Sequence, residues 1–142
     1  MSKDRQAFAR YLKATYAVKP ARHLAGKLAA EWGLENLAHD LVLVVSELVT
    51  NAVIHGTGRQ ILVTYSLTCS RLRIEVRDTG TWNPAVMRRK LARARQGGLR
   101  SHGRGLMLVE AISSRWGCSR RVVGKAVWCE IDIPVEPERR AA

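Results

Sequence analysis

The chain is poor in cysteine, in phenylalanine and in acidic residues. Its 142 residues include three cysteines, one phenylalanine, and 12 Asp and Glu against 24 Lys and Arg. Cys69, Cys118 and Cys129 are odd in number and have no C-x-x-C spacing. This disfavours a disulfide framework or a zinc site and fits reduced thiols in the cytoplasm.

The sequence also has no uninterrupted apolar run long enough to cross a membrane. Charged residues at the N-terminus have no hydrophobic segment behind them, and the longest apolar stretch is broken by Glu47 and Asn51. Neither a secretion signal nor a transmembrane span is expected, so we predict a cytoplasmic protein with no membrane contact. The length predicts one domain over residues 1–142, with a core at about 20–134 and a frayed, charged tail at 135–142.

Positive charge is the dominant feature of the composition. The formal net charge is +12, and no acidic residue occurs between Thr79 and Val109. The same interval holds seven basic residues, namely Arg88, Arg89, Lys90, Arg93, Arg95, Arg100 and Arg104. Binding of phosphate and a solvated basic helix face are both open interpretations. A nucleic-acid binder is the weakest one, because the sequence has no recognition motif and few aromatic residues for stacking.

The thirteen residues 47–59 are the most informative, and they overlap an apolar stretch at residues 34–55. That stretch is apolar almost all round, which predicts a largely buried helix. Glu47, Asn51 and His55 lie four residues apart and share one side of that helix. A carboxylate beside a core needs a partner, a cation or trapped water. Either these residues form a functional strip, or Glu47 pairs with an arginine, Asn51 bonds the backbone and His55 caps the helix.

The remaining pattern predicts both helices and strands. We expect a strand near residues 14–18, a helix from Pro20 to about Gly33, a hairpin over 61–67 and 72–76, a third helix at about 104–114, and strands near 117–123 and 126–133. A long loop from 78 to 103 contains a weak helical stretch at 86–94. Helices and antiparallel strands in separate runs predict an α+β, two-layer sandwich.

Two further motifs border the long loop. Asp78-Thr-Gly80 follows a predicted strand, where the carboxylate is placed to accept a hydrogen bond from the exocyclic amine of adenine and the glycine lets a flat ring approach. Gly103-Arg104-Gly105-Leu106 opens a helix, where backbone N–H groups favour an anion. Taken singly, the first motif is more often an ordinary turn, and the second is a weak signal that also fits a glycine turn that simply starts a helix.

In their fixed order, Glu-x-x-x-Asn-x-x-x-His, Asp-x-Gly and Gly-x-Gly-Leu resemble the GHKL nucleotide-binding family. Segments 31–34, 115–117 and 124–130 support the match, which covers about 20–134. Within the family the chain looks most like small stand-alone actinobacterial domains related to anti-sigma-factor serine kinases. The resemblance implies the Bergerat fold, a mixed and mainly antiparallel sheet covered on one face by about three helices.

The resemblance also implies a role for each matching residue. Glu47 would be the general base, Asn51 would ligate Mg²⁺, and Asp78 with Gly80 beside it would read adenine. Phosphates would lie on the segment Gly103, Arg104, Gly105 and Leu106, with Arg104, or else Arg100, at the γ-phosphate. His55 would be structural. Ala126 departs from the family, which often has a threonine there that helps bind adenine through water.

The function implied is that of an ATP-binding regulator, a serine kinase with Mg²⁺ as cofactor. It would bind a sigma factor or its antagonist, transfer the γ-phosphate to a serine of the antagonist, and work as a homodimer. The alternative is a non-catalytic module of the same fold that acts by sequestering its partner.

Overall fold

The computed structural model describes residues 4–56, 58–78, 92, 101–120 and 124–134, with the side chains of 101–104 and 120 left out. Five strands lie in these ranges: β1 (Arg5–Leu12), β2 (Gln60–Leu67), β3 (Arg71–Arg77), β4 (Arg115–Arg120) and β5 (Lys125–Asp132). The longer helices are α1 (Val18–Glu31), α2 (Ala38–His55) and α3 (Ser101–Ile112). Short 3-10 turns at Thr15–Ala17 and Glu35–Leu37 precede α1 and α2.

The strands form one sheet in the order β1-β2-β3-β5-β4. All four pairings between these strands are antiparallel. The predicted hairpin is confirmed as β2 and β3, and the predicted α+β two-layer sandwich is confirmed by the helices that pack on one face of the sheet.

The core lies between the sheet and the helices because the strands alternate with a period of two. Alternate residues of β2, β3 and β5 point toward the helices and are buried: Ile61, Val63, Tyr65, Leu72, Ile74, Val76, Val127 and Cys129. Buried residues of α2 meet them from the other layer, and α2 also contacts α1 and α3. The central position of α2 explains why it is apolar on nearly every side.

Residues 35–55 are, within the described part of the chain, the one helical segment apolar and long enough to cross a membrane, with a mean hydropathy of 1.6. Seven residues of α2 are buried in this structure: Leu41, Val44, Val45, Leu48, Val49, Asn51 and Ala52. Packing against α1, α3 and the sheet accounts for the composition of the segment.

The predicted strand at 14–18 is wrong. Residues 15–17 form a 3-10 turn, and the strand lies earlier, at Arg5–Leu12. Its sequence, R-Q-A-F-A-R-Y-L, places only Ala7, Ala9 and Tyr11 on the helix side of the sheet, opposite Tyr65, Val63 and Ile61 of β2. Two alanines give little hydrophobic signal, so β1 exists because β2 offers it a partner along its whole length.

The other element boundaries differ from the predictions by a few residues. α3 begins at Ser101 rather than at residue 104, and β4 begins at Arg115 rather than 117. The predicted helical stretch at 86–94 lies outside the described residues apart from residue 92, which is helical.

The face of the sheet away from the helices carries a cluster of arginines around one carboxylate. Glu130 accepts hydrogen bonds from Arg73 at 3.1 Å, from Arg115 at 3.1 Å and from Arg71 at 3.4 Å. Burial opposes ionisation of Glu130, but the hydrogen bonds from Arg115 and Arg73 outweigh it, so its pKa is lowered. Arg115 also pairs with Asp132 at 2.7 Å. This cluster ties β3, β4 and β5 together.

Candidate functional site

Helix α2 carries two predicted site residues, Glu47 and Asn51, and His55, which was predicted to be structural. Glu47 is half-buried, Asn51 is 6% exposed and His55 is the last residue of the helix. The next residue, Gly56, ends α2. Gly56 is nine positions after Glu47, which corresponds to about 13 Å along the helix axis.

Asn51 is a buried amide without a partner in the described structure. Neither its Oδ1 nor its Nδ2 has a hydrogen bond to any described residue. An unsatisfied buried polar group costs about 1–3 kcal/mol, so its presence in a core helix calls for a ligand. The alternative interpretation, in which the Asn51 amide bonds the backbone, is not supported, because neither amide atom has a described backbone partner. Its oxygen is a neutral hard donor of the kind that Mg²⁺ accepts.

Glu47 lies against the first turns of α3. A methyl group placed on Gly105 would overlap the Glu47 Oε2, and would approach the Glu47 Cδ to 3.2 Å. Gly105 is itself buried, so the absence of a side chain lets α3 pack directly on this carboxylate. Burial raises the pKa of Glu47, which is the direction that suits a general base. No described arginine pairs with Glu47, contrary to the structural alternative.

Asp78 directly follows β3 and lies at the opposite end of α2. It is 2% exposed, and a Cβ placed on Gly56 would lie 2.6 Å from its Oδ2. That Cβ would also overlap the carbonyl oxygen of Ala52. Gly56 therefore allows the end of α2 to touch the aspartate, and this contact joins two motifs that are 22 residues apart or more in the chain.

Two lysines lie at this end of α2, one against Asp78 and one against Gly56, and the sequence interpretation missed both. Lys125, the first residue of β5, is 5% exposed and places its Nζ 3.8 Å from the Asp78 Oδ2. The Asp78 N–H donates to the Lys125 carbonyl at 3.0 Å, which fixes their relative position. Lys13 donates from its Nζ to the Gly56 carbonyl at 2.9 Å.

The period of β5 would have revealed Lys125. Val127 and Cys129 belong to the core, so Lys125 lies on the helix side of the sheet and Ala126 on the other side. Ala126 pairs with Arg77 and Ser119 in the sheet. Lys125, rather than Ala126, therefore lies on the helix side of this strand beside Asp78. Lys13 gave no comparable signal, since its contact depends on how β1 ends.

The remaining predicted residues divide into two groups. Gly80 and Arg100 lie outside the described residues, and so does the side chain of Arg104. Gly103 and Gly105 are within the first turns of α3, and Leu106 is 2% exposed and part of the core. Leu106 thus anchors the helix whose start carries the glycines.

The described residues hold no cluster of three or more His, Cys, Asp or Glu side chains able to bind a metal ion.

The geometry is a row of polar side chains along a buried helix, with the Glu47 carboxylate and Gly105 at one end and Asp78 at the other. The model of the histidine kinase-like ATPase domain family matches residues 12–131. Fold and match together define the class, an ATP-binding domain. The chain belongs to the histidine kinase-like ATPase family, as the resemblance to GHKL proteins implied. A comparison with curated proteins found no match.

Proposed function

We propose that this protein is an ATP-binding regulator that transfers the γ-phosphate of ATP to a serine of a protein antagonist, in the cytoplasm and with Mg²⁺. Its partner would be a sigma factor, the antagonist of one, or both, and it would act as a homodimer. The observation that carries the proposal is the buried amide of Asn51, which no described residue satisfies and which lies on α2 between the carboxylates of Glu47 and Asp78.

The two ends of this row of residues suit the two ends of the nucleotide. Asp78 is the base end, where a buried carboxylate would accept from the adenine amine. Glu47 and the start of α3 are the phosphate end, where Gly103 and Gly105 would let backbone N–H groups approach the anion. Asn51 lies between them, about 6 Å along the helix from Glu47.

Asn51 would hold Mg²⁺ through its Oδ1, and the metal would neutralise charge on the phosphates. The fit rests on the amide having two buried polar atoms that no described residue satisfies. Residues of this chain would supply the rest of the chemistry. Glu47 would accept the proton, and the site would fix the direction in which the serine hydroxyl approaches the γ-phosphate.

In the transfer step Glu47 accepts the proton of the serine hydroxyl. The serine oxygen forms a bond to the γ-phosphorus while the bond from that phosphorus to the β,γ-bridging oxygen breaks, and ADP leaves with the electron pair. Because burial raises the pKa of Glu47 toward neutral pH, its carboxylate is a better proton acceptor than that of an exposed glutamate.

Calorimetry with ATP in the presence and absence of Mg²⁺ tests the binding part. We expect saturable binding that strengthens with Mg²⁺. Transfer is then followed with γ-labelled ATP and candidate antagonist proteins. Binding without transfer to any of them would leave a sequestering module, and no binding at millimolar ATP would reject the proposal for the isolated domain.

A further inference from the structure

The ammonium of Lys125 has more hydrogen-bonding capacity than the described residues around it use. Its only side-chain partner among the described residues is Asp78, at 3.8 Å between Nζ and Oδ2. A charge-assisted hydrogen bond from an ammonium to a carboxylate is about 2.7–2.9 Å long, so this is an ion pair without a hydrogen bond. Three N–H donors are available on Nζ.

Such a group is costly where it stands. Lys125 is 5% exposed, and a largely buried charge is stabilised only in part by a carboxylate at this distance. A ligand acceptor beside Asp78 would satisfy the spare donors.

The chemistry of adenine provides that acceptor. The proposed partner of Asp78 is the 6-amino group, and the ring nitrogens N1 and N7 flank that group and accept hydrogen bonds. A carboxylate has about four acceptor directions, so Asp78 can serve an amine as well as its neighbours. The side-by-side acceptor and donor of Asp78 and Lys125 match the amine and an adjacent ring nitrogen.

We infer that Lys125 is a base-recognition residue that donates from Nζ to N1 or N7 of adenine. This inference rests on the proposed function, because it assumes that the base lies at Asp78. It makes β5, through Lys125, a direct contributor to the choice of base.

The test is a double-mutant cycle in which one change is made to the Lys125 side chain and the other to a ring nitrogen of the nucleotide. Affinities for ATP, 1-deaza-ATP and 7-deaza-ATP are measured by calorimetry with Mg²⁺ for the full chain and for Lys125→Met and Lys125→Arg. We expect the unchanged protein to bind one deaza analogue about tenfold more weakly than ATP, the range of one hydrogen bond to a charged group. Lys125→Met should bind ATP about tenfold more weakly and should no longer distinguish ATP from that analogue.

Lys125→Arg keeps the donors and should keep the preference, so it preserves the test if Lys125→Met does not fold. Lys13→Met is the matched control, because it also removes a positive charge at this end of α2. The Lys13 Nζ differs from that of Lys125 in donating a hydrogen bond to the Gly56 carbonyl. It should change all three affinities by one factor.

Equal weakening of ATP and both analogues in Lys125→Met would overturn the inference, since Lys125 would then act only through Asp78 or the fold. Equal binding of ATP and both analogues by the unchanged protein would overturn it too, while leaving ATP binding intact. If that protein bound none of the three, the proposed function itself would be wrong and this inference with it.

Discussion

At the scale of single residues, three side chains along α2 and at its end carry different parts of the proposed chemistry. Asp78 is buried and fixed by backbone and by Lys125, Asn51 is buried and unsatisfied by the described residues, and Glu47 is half-buried with a raised pKa. Their separate environments allow separate tests, because each should fail in its own way when changed.

Asp78→Asn should weaken ATP binding by about 1.5–3 kcal/mol, because a charged hydrogen-bond acceptor is lost. Calorimetry with Mg²⁺ measures it. Glu75→Gln is the control, because it removes the same charge from the same strand. Glu75 pairs with Trp128 on the face of the sheet that points away from the helices. An unchanged affinity in Asp78→Asn would show that adenine does not bind there.

Asn51→Leu should separate stability from binding. A leucine of similar volume removes two unsatisfied polar atoms, so the free energy of unfolding in urea should rise by roughly 1 kcal/mol. Magnesium-dependent binding of ATP should be lost, while binding without Mg²⁺ should match that of the unchanged protein. A fall in stability would instead mean that the amide has a structural partner.

Glu47→Gln should spare ATP binding and abolish phosphate transfer, because the base acts on the nucleophile. It should also stabilise the fold near neutral pH. A carboxyl whose folded pKa is raised destabilises the folded state above that pKa and has no effect below its unfolded value. The gain from glutamine should therefore vanish at acid pH, as urea unfolding at several pH values would reveal. Loss of both binding and transfer would indicate a structural role.

At the scale of elements, the packing of α3 on α2 decides where the Glu47 carboxylate lies. Gly105 leaves no room for a side chain between them. A methyl group added at Gly105 would meet the mobile end of the Glu47 side chain. That side chain can move aside at little cost to the fold, but the carboxylate would then leave its place in the site.

Gly105→Ala should therefore change the free energy of unfolding by no more than about 1 kcal/mol, but lower phosphate transfer about 100-fold, since a displacement near 1 Å is enough for such a loss. The control is Gly26→Ala in α1, where the nearest atom to the added methyl is the Val42 Cγ2 at 3.8 Å. That change should leave transfer alone and stabilise the helix by about 1 kcal/mol or less. Full transfer by Gly105→Ala would argue against Glu47 as the base.

At the scale of the whole molecule, the two faces of the sheet have separate tasks. The helix face carries the core and the site, whereas the opposite face carries the arginine cluster around Glu130. Stability contributed by that cluster should depend on pH without any involvement of the site.

Glu130→Gln should lower the free energy of unfolding at pH 7 by about 1.5–3 kcal/mol, the range for hydrogen bonds to a charged group. The pKa of Glu130 is lowered in the fold, so its contribution is present above the unfolded value near 4.3 and is lost as the pH falls through the folded value. The gap between the two proteins should close in acid. Glu31→Gln is the control: its pair with Lys27 is exposed, at 3.8 Å, and should contribute at most about 0.5 kcal/mol.

What the sequence determined by itself was local. The periodicities of α1, α2, β2 and β3, and the placement of Glu47, Asn51 and Asp78 on them, follow from neighbours within a few residues. The family resemblance rests on the same short motifs and was confirmed over residues 12–131.

Tertiary structure decided what depends on residues distant in the chain. β1 is a strand because β2 pairs with it, Gly105 is needed because α3 meets Glu47, and Lys125 stands at Asp78 because β5 pairs with β3. Such contacts are set by how elements pack, and no short stretch of sequence encodes the packing of two elements that lie dozens of residues apart.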